Sequence, residues 1–293
     1  MSTHKRHGTS FSEQHNHPSF SVASNKQTNM VNPILPTVTR NLSNLELSKA
    51  LDAKDNEFQL YYFKLNIYAT TPRALLAYAD AKWSNIYPGD WSNYDKPLTK
   101  FGTLPMMFEI SADGKVVIEH AEAIAIELHL ARKFNLLGDS SFEEAQILGF
   151  YSNSRALAQS HQDAYLCQGQ DRAEKLENFI ETQLKQWIRT HEKALVQNGS
   201  NGYYVSNRVT LAEIRTATAI EQLLNELCAF RGFEEVQKLI TPELTPNLWK
   251  VRESVLQKKS YRDWIQSELF QEITTETTTY YDGEYEILSK APK

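Results

Sequence analysis

The stretch EFQLYYFKLNIYATTPRALLAYA, residues 57–79, constrains the fold more than any other part of the chain. Its FQLYYF segment is rich in aromatic and apolar residues and predicts a strand that ends before Lys64. Thr71 and Pro72 then begin a helix, because a hydroxyl can cap free N–H groups and proline suits the first helical position. A strand, a loop and a helix at this spacing open a βαβ unit, whose working edge is the carboxyl end of the strand.

The composition narrows the class of protein without naming a function. The chain has 293 residues, of which 41% are hydrophobic, so it can bury one large core or two modest ones. A net charge of −5 gives no basic surface for nucleic acid or an anionic membrane, and no apolar run reaches the roughly 18–20 residues that span a bilayer. The cysteines, Cys167 and Cys228, form no C-x-x-C pair. We therefore expect a soluble protein of a reducing compartment, with no nucleic-acid or membrane partner.

Both ends of the chain read as disordered. Residues 1–54 are rich in Ser, Asn, His, Gln and Thr with little apolar periodicity, and residues 271–293 are polar and mostly acidic. Four histidines in the first segment match no ligand spacing on a defined element, so a solvated tail and weak, incidental metal binding are the alternatives, and we predict no metal site. They are His4, His7, His15 and His17. The same segment is poor in acids, so a mitochondrial transit peptide is the alternative to a cytoplasmic location.

The middle of the chain divides into two domains. Over 55–139 the pattern is a strand, a helix, a long polar connection over 84–100, two strands around an Asp-Gly turn, and a helix over 121–134. This order is the thioredoxin-like α/β layout without its redox cysteines. Over 141–270 only helix signals occur, including a capping box from Thr210 to Glu213. We therefore predict an α/β domain followed by an all-α domain.

Several motifs occur together in one order: YYF, FGTLPMMFEI, DGKVVIE, AIA and GYYVSNRVTLAEI. In this combination, residues 56–268 resemble a cytosolic glutathione transferase. The details are similar to the sigma-like, tyrosine-type group, whose first strand ends in a Tyr-Phe pair. The resemblance implies the glutathione transferase fold, glutathione as co-substrate, a small hydrophobic electrophile as second substrate, and a homodimer.

The resemblance places the catalytic tyrosine at Tyr62, directly before Phe63. A free thiol has a pKa of about 8.5 and reacts as the thiolate. A tyrosine hydroxyl, with a pKa of about 10, can stay protonated and donate to the sulfur anion, which lowers the thiol pKa. The alternative is that Tyr62 only packs at the strand end. Tyr61 points to the opposite face and is expected to pack.

The resemblance also implies which residues hold glutathione. The backbone of Leu104, before a cis Pro105 and after Gly102 and Thr103, would receive the cysteinyl part like a sheet edge receiving a strand. Trp91 and Lys96 match the residues that contact the glycyl end, with an ordinary surface charge as the alternative for the lysine. The remaining expected contacts are Tyr68, His120 and Ala121.

The γ-glutamyl pocket departs from the family pattern. His120 and Ala121 stand where the family has an acid or amide followed by a hydroxyl residue, so helix N-terminal N–H groups remain but the hydroxyl is absent. His120 either donates to the substrate carboxylate or fills space. The loop 66–70 lacks the family's arginines and acid, and the segment 152–160 offers Arg155 and no carboxylate. Two functions therefore stay open: a glutathione transferase, and a non-catalytic binding or structural protein on the same fold.

Overall fold

A computed structural model of the protein describes residues 34–166, 171–226 and 234–282. It contains a four-stranded sheet with flanking helices, followed by a helical region. The strands are β1 Glu57–Tyr61, β2 Lys82–Ile86, β3 Met106–Ile110 and β4 Val117–Ala121. The helices of the first part are α1 Asn44–Asp52, α2 Thr70–Tyr78 and α3 Ala123–Lys133. Those of the second part are α4 Ser141–Leu166, α5 Asp171–Asn178, α6 Lys185–Gln197, α7 Leu211–Asn225, α8 Glu234–Leu239, α9 Pro246–Leu256, α10 Lys259–Ile265 and α11 Glu268–Asp282. The predicted α/β domain followed by a helical domain is confirmed.

The sheet has the strand order β2-β1-β3-β4. β1 and β2 are parallel and are connected through α2, while β3 pairs antiparallel with both β1 and β4. The prediction of a polar connection from residue 84 onward was wrong, because KWSNI over 82–86 forms β2. These residues show little alternation of apolar and polar side chains. They form a strand because their backbone pairs with that of β1, from Glu57↔Lys82 to Tyr61↔Ile86.

The two faces of the sheet bury different side chains. Phe58, Leu60 and Met107 lie in the large core that α2, α3 and the helical region share. The opposite face carries a small cluster of Tyr61, Met106 and Phe108, each at most 2% exposed. Because successive strand residues point to opposite faces, Tyr61 and Tyr62 separate as the sequence predicts.

The N-terminal segment is more ordered than the sequence indicates. Disorder was expected through residue 54, but Leu35 and Val38 pack on the small cluster, and Thr39 exchanges hydrogen bonds with Val117 at 2.9 Å. Helix α1 follows, begun by a capping box in which the Ser43 hydroxyl accepts from the Glu46 N–H. Short local apolar contacts of this kind leave no periodic signal in the sequence. The four tail histidines lie outside the described residues.

The C-terminal segment is also corrected. Disorder was expected from residue 271, but α11 runs to Asp282 and buries Ile273, Thr277, Tyr280 and Tyr281. The threonine hydroxyls of this helix donate to carbonyls four residues back, so these polar groups are satisfied within the helix itself. Residues 283–293 lie outside the described part.

Helix α7 is the centre of the helical region. Thirteen of its residues, Leu211 to Leu223, are buried, and it packs against α2, α4 and α9. The predicted capping box at its start is confirmed: Thr210 accepts from the Ala212 N–H, and Glu213 accepts from the Thr210 N–H at 2.7 Å. In the parts of the chain that the structure describes, no helix is both long and apolar enough to cross a membrane.

Candidate active site

The expected glutathione-binding segments meet at one edge of the sheet. The last pairs of the ladders are Tyr61↔Met106 and Met106↔Ala121. The residues that follow outward on the three strands are therefore Tyr62, Pro105 and Glu122. The Leu104–Pro105 peptide bond is cis, and Glu122 has a φ of 75° directly before α3 begins. A tyrosine, a cis-proline turn and a helix N-terminus thus share this edge, and a non-glycine residue at positive φ is often found at functional sites.

Tyr62 lies beneath this edge, with 4% of its surface exposed. Its hydroxyl accepts a hydrogen bond from the Tyr68 N–H at 3.4 Å, which leaves the O–H proton available to a second partner. Its ring meets Phe63 edge-on at 5.6 Å between centroids. Burial raises the pKa of Tyr62 well above its ordinary value, so the phenol stays protonated at neutral pH. A protonated phenol is the form that donates to an anion.

Arg73 of α2 is a second functional candidate, and the sequence analysis missed it. Its side chain is 1% exposed and its guanidinium carbon lies 6.0 Å from the centre of the Tyr62 ring. It donates to the carbonyls of Leu65 at 2.5 Å and Phe63 at 3.1 Å. Burial lowers its pKa to about 10, so it is charged at neutral pH. The feature of the sequence that could have indicated this residue is that it is the single cation within the apolar run PRALLAYA. Arg73 holds the loop after β1, which has no arginine of its own.

The connection before β3 brings the predicted glycyl-end residues to the same side. Trp91 is 8% exposed and meets Phe63 edge-on at 5.5 Å. The Lys96 side chain passes Gly102, whose φ is 68°, and a Cβ there would lie 3.6 Å from the lysine Cε. The Thr103 hydroxyl donates to Glu122 at 2.9 Å, which ties the turn before the cis proline to the start of α3.

His120 and Ala121 separate because they lie on opposite faces of β4. Ala121 pairs with Met106 beside the small cluster. The His120 ring lies on the helix face, stacked on His129 of α3 at 4.0 Å, with Nε2 3.5 Å from Oε2 of Glu109. The two alternatives for His120 were a donor to the substrate and a space-filling ring. The structure decides between neither of them, and it places the His120 ring near Glu109, which the sequence analysis did not single out.

Polar side chains line the boundary between the α/β and helical parts. The Tyr68 hydroxyl donates to Gln159 at 3.2 Å. Arg155 lies 3.3 Å from the buried Glu127, which also accepts from Tyr151 at 2.7 Å. The cation of the segment 152–160 is therefore paired with a carboxylate of α3. A cavity bordered by Tyr68, Arg155 and Tyr281 has about 20 Å³ open to the centre of a water molecule, which is room for one or two waters.

Helix α11 closes this boundary from the C-terminal side. The Asn66 N–H donates to the Thr277 hydroxyl at 2.8 Å. The Asn66 amide donates to Glu226 of the segment after α7 at 2.6 Å. Burial raises the pKa of Glu226 to about 7. The loop after Tyr62 is thus bonded to both the end of α7 and α11.

Comparison with known proteins finds similarity to glutathione S-transferases in both sequence and structure. The family model "Glutathione S-transferase, C-terminal domain" matches residues 160–268. Glutathione S-transferase 3 of Caenorhabditis elegans is 24% identical over 58% of this chain and 76% of its own length. Probable glutathione S-transferase 7 of the same organism is 36% identical over 31% of this chain and 41% of its own length. The solved sigma class GST of Fasciola hepatica superposes with a TM-score of 0.59 and 22% identity, covering 72% of this chain and 96% of that one.

The small mixed sheet, the cis-proline edge and the helical second part define a two-domain protein with a thioredoxin-like first domain. Within that class, the chain is similar to glutathione transferases in part of its sequence and in its fold. Members of this family are transferases that use glutathione as a co-substrate.

Proposed function

We propose that this protein conjugates glutathione to a small electrophile, or uses glutathione to isomerise or reduce one, with Tyr62 as the residue that stabilises the thiolate. The observation that carries the proposal is the position of Tyr62 at the sheet edge that it shares with cis Pro105 and the start of α3. A buried, protonated phenol there can donate to sulfur, while the nearby Arg73 guanidinium adds positive charge that favours an anion.

The backbone of the same edge supports the binding of glutathione as an added strand. Leu104 precedes the cis proline and would exchange N–H and C=O hydrogen bonds with the cysteinyl part, while Gly102 and Thr103 shape the turn. Trp91 and Lys96 are proposed for the glycyl end, where a lysine would neutralise a carboxylate.

For the γ-glutamyl carboxylate we propose the backbone N–H groups at Ala121 and the first turn of α3, in place of the missing hydroxyl. The free N–H groups and dipole of an 11-residue helix favour an anion. His120 precedes Ala121 on β4, and Tyr68 borders the cavity at the domain boundary; we propose both as further contacts of glutathione. The electrophile would then lie at the boundary between the two domains, in a cytoplasmic homodimer.

The test is conjugation of glutathione to an aryl halide by Tyr62→Phe, with Tyr61→Phe as the matched control. Removing the Tyr62 hydroxyl is expected to lower kcat/KM by roughly ten- to a hundredfold and to raise the pKa of the thiol of bound glutathione. Tyr61→Phe removes the same atom on the opposite face of the sheet and should leave both quantities within a factor of about two. Equal rates in the wild type and the Tyr62→Phe variant would contradict the proposal.

One observation favours a second candidate, a non-catalytic binding or structural protein. The Tyr62 hydroxyl is buried against the Tyr68 backbone, and the cavity that Tyr68 borders has room for only one or two waters. Retention on a glutathione resin with elution by free glutathione distinguishes the two. The transferase is expected to be retained, and flow-through together with background conjugation rates would favour the second candidate.

A further inference from the structure

A carboxylate and two imidazoles converge between the sheet and α3. Glu109 of β3, His120 of β4 and His129 of α3 each direct one ligand atom to a common point, and these three atoms lie within 4.8 Å of one another. The Glu109 Oε2 atom is 2.6 Å from Nε2 of His129 and 3.5 Å from Nε2 of His120. The three residues come from three different elements, so no spacing motif in the sequence predicts that they meet.

The two oxygens of Glu109 have different partners. Oε1 accepts from the Asn56 amide at 2.6 Å and lies 2.8 Å from Nζ of Lys133. The Lys133 ammonium also donates to backbone carbonyls at the end of α1, Leu51 and Ala53. The carboxylate is thereby fixed in orientation, with Oε2 directed at the two rings. Outer contacts of this kind, which hold a ligand in place, are typical of metal sites.

The two histidines are oriented as ligands. The Nε2 atom of His120 is buried and forms no hydrogen bond with any described residue. The side chain of His129 is 24% exposed and that of His120 is 17% exposed, so both rings are partly exposed, while the Nε2 atom of His120 and the Glu109 carboxylate are buried.

The separations fit a small divalent cation. Metal–nitrogen and metal–oxygen bonds of about 2.0–2.1 Å in tetrahedral geometry place ligand atoms about 3.3 Å apart. The observed separations of 2.6 and 3.5 Å to Oε2 bracket that value. Two imidazoles and one carboxylate are a known three-ligand set for Zn²⁺, with water in the fourth position.

We propose that Glu109, His120 and His129 form a zinc-binding site between the sheet and α3. The cation replaces the proton in the contact between His129 and Glu109 and gives the buried His120 nitrogen a partner. The site lies between the sheet and the second half of α3 and involves no bound glutathione, so it is tested with the metal alone. Protons compete with the metal for both rings.

The test uses the full chain with His4, His7, His15 and His17 replaced by alanine, because these tail histidines would otherwise bind zinc as well. In this background, Zn²⁺ binding is measured by equilibrium dialysis, and Co²⁺ serves as a probe whose visible absorption reports its coordination. We expect one Zn²⁺ per chain, a tetrahedral Co²⁺ spectrum and a raised Tm with zinc.

His129→Gln separates the ligand from the structural contact, since its amide can still donate to Glu109 but offers no imidazole. This variant is expected to keep the helical circular dichroism and metal-free Tm of the background while its zinc affinity falls more than about tenfold. His129→Ala and His120→Ala should lose zinc to the same extent. The proposal is overturned if the background binds no zinc, or if His129→Gln binds zinc as tightly as the background.

Discussion

At the residue scale, four buried ionisable residues fix the arrangement of neighbouring elements through their hydrogen bonds and ion pairs. Arg73, Glu109, Glu127 and Glu226 are each at most 2% exposed, and each makes hydrogen bonds or ion pairs to a different element. Burying a charge is costly unless it is paired, so each of these residues ties its neighbours to one arrangement. In this chain those arrangements surround the loop after β1 and the start of α3.

Glu226 gives a prediction about pH. Its pKa is about 7 in the folded protein against an ordinary value of 4.5, so between these values the folded state holds a proton that the unfolded chain has lost. Stability is therefore expected to fall as the pH rises from about 4.5 to 7, by an amount on the order of 1–3 kcal/mol. Glu226→Gln should flatten this dependence and raise the free energy of unfolding above pH 7.

Urea unfolding across this pH range measures the effect. The matched control is Glu243→Gln, which makes the same substitution at an exposed position. If the wild type and Glu226→Gln show parallel pH profiles, the shifted pKa of Glu226 is not the cause of the dependence.

At the element scale, α11 acts through a few specific contacts. Thr277 is fully buried, accepts from the Asn66 N–H and donates to the Ile273 carbonyl at 2.7 Å. Thr277→Val keeps the shape of the side chain but leaves a buried N–H without its partner. We expect a loss of about 1–3 kcal/mol in the free energy of unfolding.

The control is Thr275→Val on the exposed side of α11, whose hydroxyl, among the described residues, bonds only to the Gln271 carbonyl of its own helix. Denaturant unfolding should show a change within about 0.5 kcal/mol for this variant. Similar losses in both variants would mean that the contact with Asn66 contributes little.

The capping boxes of α7 and α1 form a second matched pair. Thr210 is 1% exposed and begins the central helix, while Ser43 is exposed and begins a helix with no buried residue. Thr210→Ala is expected to cost about 1–2 kcal/mol, and Ser43→Ala clearly less, because fraying of α1 does not open the core. Hydrogen exchange and urea unfolding distinguish the two, and equal losses would contradict the explanation.

Elements with strong local signals could be predicted from the sequence, and those held by long-range contacts could not. Each of three elements is specified by residues within a short segment: the strand FQLYYF, the Asp-Gly hairpin and the α7 capping box. By contrast, β2 depends on pairing with β1, and α11 on polar contacts to Asn66. The candidate sites show the same division: the motif predicts Tyr62 and Pro105 from the sequence, whereas the contacts of Arg73 and Glu109 join elements that are distant in the chain.

At the scale of the whole molecule, three exposed apolar residues before β3 are candidates for the contact surface of the proposed dimer. Tyr94, Leu98 and Phe101 are each 57–61% exposed within eight residues of the chain. Apolar surface grouped in this way is typical of an interaction site. Leu98→Asp is expected to shift the proposed dimer to monomer in analytical ultracentrifugation, because a charge would have to be buried at the contact.

Leu244→Asp is the control, since Leu244 is 64% exposed at a distant position of the helical part. It should leave the sedimentation coefficient unchanged. If the wild type is a monomer, or if Leu98→Asp leaves a dimer intact, the prediction that this surface forms the dimer contact is wrong.

The short contact between Thr39 and Val117 has a consequence for how the protein can be handled. β4 is the outer strand of the sheet, and the segment around Thr39 occupies its free hydrogen-bonding side while Leu35 and Val38 cover the apolar side chains beneath. An uncovered outer strand is a template on which further chains can add. A shortened protein that begins at residue 55 would keep every catalytic candidate, yet it would expose that template. The N-terminal segment therefore protects the domain against self-association through its sheet.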